Sequence, residues 1–125
     1  MRLIIAGSRF EPHEIPIRYA ALKEAFAVLP CLTTSLVTEI VSGGARGADK
    51  LGERLAAEYG IPCSIQNADW DGLGKRAGYV RNTQMANYVA PDGGLLALWD
   101  GESRGTQHMI KIAETLKLIV LVWRV

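Results

Sequence analysis

Long apolar runs are what this sequence most conspicuously lacks: the longest, such as Leu118 to Trp123, fall far short of the ~20 residues needed to span a bilayer. The opening run Leu3-Ile4-Ile5-Ala6 is too short for the core of a secretion signal and is ended by Ser8-Arg9, which predicts a soluble, cytoplasmic protein with no membrane association. Cysteine is scarce. Cys31 and Cys63 lie 32 positions apart without CxxC or Cys/His spacing, so they are expected to be two small buried thiols in a reducing compartment. The two histidines, His13 and His108, have no spaced partner, so no metal site is expected. Charge of one sign is also missing: 14 Lys plus Arg against 13 Asp plus Glu leave a net charge of +1. That balance argues against a basic nucleic-acid sleeve and against an acidic tail.

Low-complexity tracts, internal repeats and linkers are absent as well, and 125 residues allow one domain, taken as 1–125. A composition of 49% hydrophobic and 22% charged residues can bury a core. Glycine is in excess, with 13 residues where average usage of ~7% would give about nine.

Five short runs have the length and β-branched content of buried strands: Leu3 to Ala6, Val37 to Val41, Pro62 to Gln66, Leu95 to Trp99 and Leu118 to Trp123. Between them lie segments with helical spacing. Leu22, Ala25, Phe26 and Leu29 precede Pro30; Ala48, Leu51, Leu55, Ala56 and Tyr59 precede a Gly60 stop; a weaker pattern covers Ala77 to Val89; Thr106, Met109, Ile110, Ala113 and Leu116 form the last. Strands alternating with helices predict an α/β fold in three layers, with a five-stranded, mainly parallel sheet flanked by helices. In such a sheet ligands bind beyond the carboxyl ends of the strands, at the switch point in strand order. Glycines, lacking from the helical segments, are expected to gather in those loops.

The loop Ser42-Gly43-Gly44-Ala45-Arg46-Gly47-Ala48-Asp49 runs from a strand into a helix, where free N–H groups and the positive dipole end favour an anion. Arg46 adds a planar donor fork suited to phosphate. Its G-G-x-x-G spacing is neither the dinucleotide fingerprint nor a Walker loop. The competing reading is a tight connection in which Asp49 merely stabilises the first helical turn. The loop Asp100 to Thr106 repeats the logic, with Ser103, Arg104, Gly105 and Thr106 at a helix start, where Ser103 or Thr106 could equally be a cap. Asp69 lies just past a strand end, 25 residues beyond Gly44, roughly where a doubly wound fold places an acid for ribose hydroxyls; alternatively it is a surface carboxylate. Trp70 and Trp99 flank the expected cleft as stacking platforms or as core edge. Lys75, Arg76 and Arg81 form a basic cluster or a solvated face.

The motifs Gly7-Ser8-Arg9, S-G-G-A-R-G-A-D, A-D-W, G-K-x-A-G-x-x-R-N-x-x-M and W-D-G-x-S-R-G-T-x-x-M-I occur in this order between Leu3 and about Leu121. With them the chain closely resembles the YspA-like branch of the SLOG superfamily. The resemblance implies a Rossmann-like fold and binding of nucleotides or nucleotide-derived signals. It extends more distantly to the LOG phosphoribohydrolases, which cleave the N-glycosidic bond of nucleoside monophosphates, and to the DNA-processing protein DprA. LOG enzymes carry a P-G-G-x-G-T-x-x-E loop with a catalytic glutamate and an arginine in an R-K-x-x-M helix. Gly105-Thr106 fit the first motif, but Met109 stands at the glutamate; Arg81 and Met85 fit the second, with Asn82 in place of lysine. A thioether cannot exchange a proton or steady a developing cation.

The leading expectation is therefore binding of a nucleoside phosphate or ADP-ribose-like ligand, with no other cofactor. Gly43, Gly44, Arg46 and Gly47 would hold one phosphate; Ser103, Arg104, Gly105 and Thr106 the other end; Gly7, Ser8, Arg9, Ser42, Asp49, Asp69, Arg81, Asn82 and Asp100 would complete the site. The rival is a hydrolase acting on the nucleotide, with Asp49 and Arg81 as catalytic candidates and Asp69 or Glu102 as further carboxylates. Single-stranded DNA binding is disfavoured by the charge balance, and homo-oligomerisation is left open.

Overall fold

Leu3, Ile4, Ile5 and Ala6 are all buried within the first strand, β1 (Arg2–Gly7), so neither of its faces meets water. An unbroken apolar run suits a strand covered on both sides. The computed structural model, which describes residues 1–125, shows how the cover is made. After β1 come α1 (Ile15–Val28), β2 (Glu39–Ser42), α2 (Ala48–Tyr59), β3 (Cys63–Ile65), the single-turn α3 (Trp70–Leu73), α4 (Ala77–Val89), β4 (Gly94–Trp99), α5 (Arg104–Thr115) and β5 (Ile119–Arg124).

The sheet order is β3-β2-β1-β4-β5, and every neighbouring pair is parallel. Successive side chains leave a strand on opposite faces. Leu3 and Ile5, with Ile40, Leu96 and Leu98, pack against Tyr19 and Leu22 of α1 and Leu51 and Leu55 of α2. Ile4 and Ala6, with Val41, Leu95 and Ala97, meet Met85 and Val89 of α4 and Met109 and Ala113 of α5. The result is a three-layer, Rossmann-like α/β fold. Right-handed crossovers dictate the two faces: α1 and α2 carry the chain outward from β1 to β3, and the return to β4 must use the other face. Winding therefore reverses between β1 and β4, and the loops leaving their carboxyl ends diverge around a crevice.

Several details differ from the sequence expectations. Both cysteines are exposed, because β3 is an edge strand and Cys31 lies in the 3-10 turn Leu29–Cys31 that follows α1. α1 starts at Ile15, with Pro16 in its first turn, where a missing N–H costs nothing. The glycines are not confined to loops: Gly52, Gly72, Gly78 and Gly105 lie in helices. At Gly52 a Cβ would stand 2.8 Å from Cβ of Ile5, so the glycine lets α2 seat directly on β1. Between β3 and α4, where no helical spacing is apparent in the sequence, the chain forms the single turn α3. No helix is long and apolar enough to cross a membrane.

Candidate functional site

The three strand-end loops are clamped to one another by backbone. At Gly7 (φ +155°) a Cβ would run into the Leu98 carbonyl oxygen, which accepts the Ser8 N–H at 2.9 Å. Ser8 is buried; its Oγ accepts the Asp100 N–H at 3.0 Å, and its carbonyl accepts the Ala48 N–H at 3.2 Å. Ser8 thus joins the ends of β1 and β4 to the start of α2. Its hydroxyl is committed to that joint.

The loop after β2 curls around a carboxylate of its own chain. Asp49 is 4% exposed, and its Oδ2 accepts the Ala45 N–H at 3.1 Å. Oδ1 has no partner within the chain and is not sealed in, and Asp49 belongs to the cleft wall. Burial pushes this carboxyl up to about 6, against the opposing pull of the Ala45 N–H and of Arg81. Gly43 separates Asp49 from Arg81: a Cβ there would lie 2.8 Å from Asp49 Oδ2 and would collide with the guanidinium. Ser42 is fully buried, 2.7 Å from Glu53 Oε2, and accepts the Gly44 N–H at 3.0 Å.

The expected phosphate group of Gly43, Gly44, Arg46 and Gly47 accordingly does not converge on one point. Gly43 lies under Arg81 and Gly44 against Asn67, while Arg46 and Gly47 line a separate hollow. A residue at the tip of a helix start leaves it on whichever side the turn dictates, which spacing does not encode.

At the start of α5, Asp100 Oδ1 accepts the N–H groups of Ser103 and Glu102, each at 2.8 Å, and these bonds hold its carboxyl below the usual range. Ser103 is the cap of α5; its Oγ accepts the Thr106 N–H at 3.4 Å and lies 3.1 Å from Thr106 Oγ1. A Cβ at Gly105 would meet nothing within 4 Å, so the backbone there is open to approach. Arg104 is exposed and stands outside the cleft wall, contrary to its expected role.

α4 supplies the opposite wall. Arg81 Nη1 donates to the Gly43 carbonyl at 2.7 Å and Nε to Asn82 Oδ1 at 3.2 Å. Asn82 is buried, and its Nδ2 donates to the Gly105 carbonyl at 3.1 Å while lying 3.2 Å from His108 Nδ1. That contact needs a lone pair on Nδ1, so His108 is neutral with its proton on Nε2; its burial favours the same state by lowering its pKa. The Arg81–Asn82 pair therefore ties the β2 loop to α5.

Asp69 is not where a ribose acid should be. It caps α3, accepting the Gly72 N–H at 2.9 Å, and is exposed outside the cleft wall. The next residue, Trp70, does reach the cleft and is 54% exposed. Trp99 instead packs on the core, with its Nε1 donating to the Ser103 carbonyl at 3.1 Å. Tyr79, an aromatic that no motif marks, lines the cleft and meets His108 edge-on at 4.4 Å.

These residues enclose a cleft of about 470 Å³ at the β1/β4 switch point. Arg9, Lys75 and Arg81 supply positive charge; Asp49 and Asp100 the negative; Ala6, Met85 and Met109 the apolar part of the wall. Met109 is 1% exposed and offers no proton. No group of three or more His, Cys, Asp or Glu side chains is gathered as metal ligands would be.

No family model matches the chain, and no solved structure matches it. The Gene 61 protein of Mycobacterium phage D29 is 34% identical over 87 residues, spanning 66% of this chain and 68% of that protein. The chain therefore belongs to the same family as that phage protein.

Proposed function

We propose that the cleft binds a nucleotide or nucleotide-derived ligand, a nucleoside phosphate or an ADP-ribose-like molecule. The observation that carries this reading is the convergence, at the switch point, of the open helix start at Gly105, whose N–H has no partner within the chain, with three cations and the exposed Trp70 indole. Phosphate oxygens find backbone donors and the Arg81 guanidinium; a base finds the Trp70 face. The carboxylate of Asp49 already takes the Ala45 N–H, and its free oxygen suits a ligand hydroxyl. The resemblance to the SLOG superfamily supports the same ligand class.

Calorimetric titration with AMP, ADP-ribose and cyclic dinucleotides is expected to show saturable binding to one site. Loss of a charge-assisted hydrogen bond costs about 1.5–3 kcal/mol, so Arg81→Ala should weaken binding by roughly 10- to 150-fold. Arg104→Ala, which alters an exposed residue outside the cleft, should leave it unchanged. Arg81 also pins the Gly43 loop, so the variant's thermal unfolding must be measured alongside. Lack of binding across the panel, or equal affinity in a folded Arg81→Ala protein, would overturn the assignment.

One observation favours a second reading, hydrolysis of the N-glycosidic bond. Asp49 is a cleft carboxyl raised to about 6, near the range in which a side chain both gives and takes a proton at neutral pH. Under this reading nucleoside monophosphates release free base, and Asp49→Asn abolishes the release without abolishing binding. A complete absence of base release would leave the binding function standing alone.

A further inference from the structure

We propose that the hollow beside the cleft is a second nucleoside subsite, so that the full ligand is a dinucleotide whose linking phosphates cross Arg9. The inference rests on the nucleotide reading above. The hollow measures about 350 Å³, within the ~300–1,000 Å³ of small-molecule sites, and Arg9 lines both it and the cleft. Gly47 brings the two together: a Cβ there would stand 2.5 Å from the Ser8 carbonyl oxygen and 2.6 Å from Arg9 Cα. With no side chain in the way, the start of α2 presses against the Arg9 backbone, and Arg46 and Lys50 come to the same rim as Arg9.

The hollow has the two chemistries a nucleoside phosphate needs. Phe10, Ile15 and Leu51 supply apolar surface, the Phe10 ring resting against the core beside the Arg18 guanidinium. Arg9 and Arg46 make no ion pair, and Lys50 makes only an exposed one with Glu53 at 3.3 Å. Glu11 and Glu14 also line the hollow, but Glu14 is already engaged: its carboxylate accepts the Glu11 N–H at 2.8 Å and an Arg18 N–H at 3.3 Å. Arg9 and Arg46 are therefore the cations of the hollow that have no carboxylate partner. A mononucleotide in the cleft would leave Arg46 without a partner; two nucleosides joined through phosphates place one base by Trp70, the other by Phe10, and their shared negative charge on Arg9 between.

The test is calorimetric titration of AMP against diadenosine diphosphate on the wild type and on an Arg46→Ala/Lys50→Ala double variant. Both replaced side chains are exposed, so the fold is retained. The dinucleotide should bind at least tenfold more tightly than AMP to the wild type, because its second half is delivered at high effective concentration. In the double variant that advantage should vanish while AMP affinity stays the same. Equal affinities in the wild type, or an advantage that survives the double substitution, would overturn the second subsite while leaving the nucleotide cleft intact. Failure of both nucleotides to bind would remove the underlying reading as well.

Discussion

At pH 7 the Asp49→Asn protein should be more stable than the wild type by up to about 3 kcal/mol, and the difference should shrink as the pH falls towards 4. The carboxyl of Asp49 rises from the ordinary 3.8 to about 6 on folding because burial penalises its charge, which corresponds to about 3 kcal/mol. A group whose folded pKa is raised holds its proton more tightly in the folded state. Its stabilising contribution is complete below about 3.8 and is lost as the pH rises through about 6. Above that window the wild type carries a buried, incompletely paired carboxylate. Asparagine is neutral at every pH and its carbonyl oxygen can still accept the Ala45 N–H. That figure already includes the attraction of Arg81, which offsets part of the burial penalty. Urea unfolding of both proteins from pH 4 to pH 8 checks this; parallel curves would refute it. A residue that costs stability at working pH is what a binding or catalytic demand leaves behind.

Gly47→Ala should have the opposite sign and a similar size. Gly47 has φ +83° and ψ −130°, a conformation that costs an L-residue ~1–3 kcal/mol. The new methyl would also press on the Ser8 carbonyl oxygen and on Arg9 Cα, both backbone. Relief requires the β1 loop to withdraw from α2, which breaks the Ala48 N–H to Ser8 carbonyl bond. The two effects sum to about 3 kcal/mol and a fall in Tm of roughly 10 °C. Gly60→Ala separates them. Gly60 also has positive φ, at +67°, but its Cβ would meet nothing within 4 Å, so that variant should lose only about 1 kcal/mol. Equal losses in the two variants would show that crowding at Gly47 is unimportant.

The layered fold was legible because its signals are local. Leu3–Ala6 and Leu95–Leu98 are apolar at every position, which only a strand covered on both faces requires, and Gly60 ends α2 in the left-handed conformation that a helix stop favours. α3 leaves no periodic signal because four residues hold no period; its start is marked only by the Asp69 cap. The site was legible in part. Gly7, Arg9, Asp49, Arg81, Asn82, Asp100, Ser103, Gly105 and Thr106 do line one cleft, while Arg46, Arg104 and Asp69 do not. Chain position places a residue near a strand end, but the direction its side chain takes depends on the turn. Tyr79 reaches the wall through the packing of α4 beside α5, a long-range relation with no local mark.

The position of Trp70 gives the protein an optical reporter. Of its three tryptophans, Trp99 and Trp123 are partly buried against the core, whereas Trp70 stands 54% exposed in the cleft wall. Emission from a solvated indole lies to the red of emission from a buried one, so the long-wavelength part of the spectrum belongs to the cleft. A base stacked on that ring would quench the red edge and leave the blue edge untouched, and occupancy could be followed in the unmodified chain.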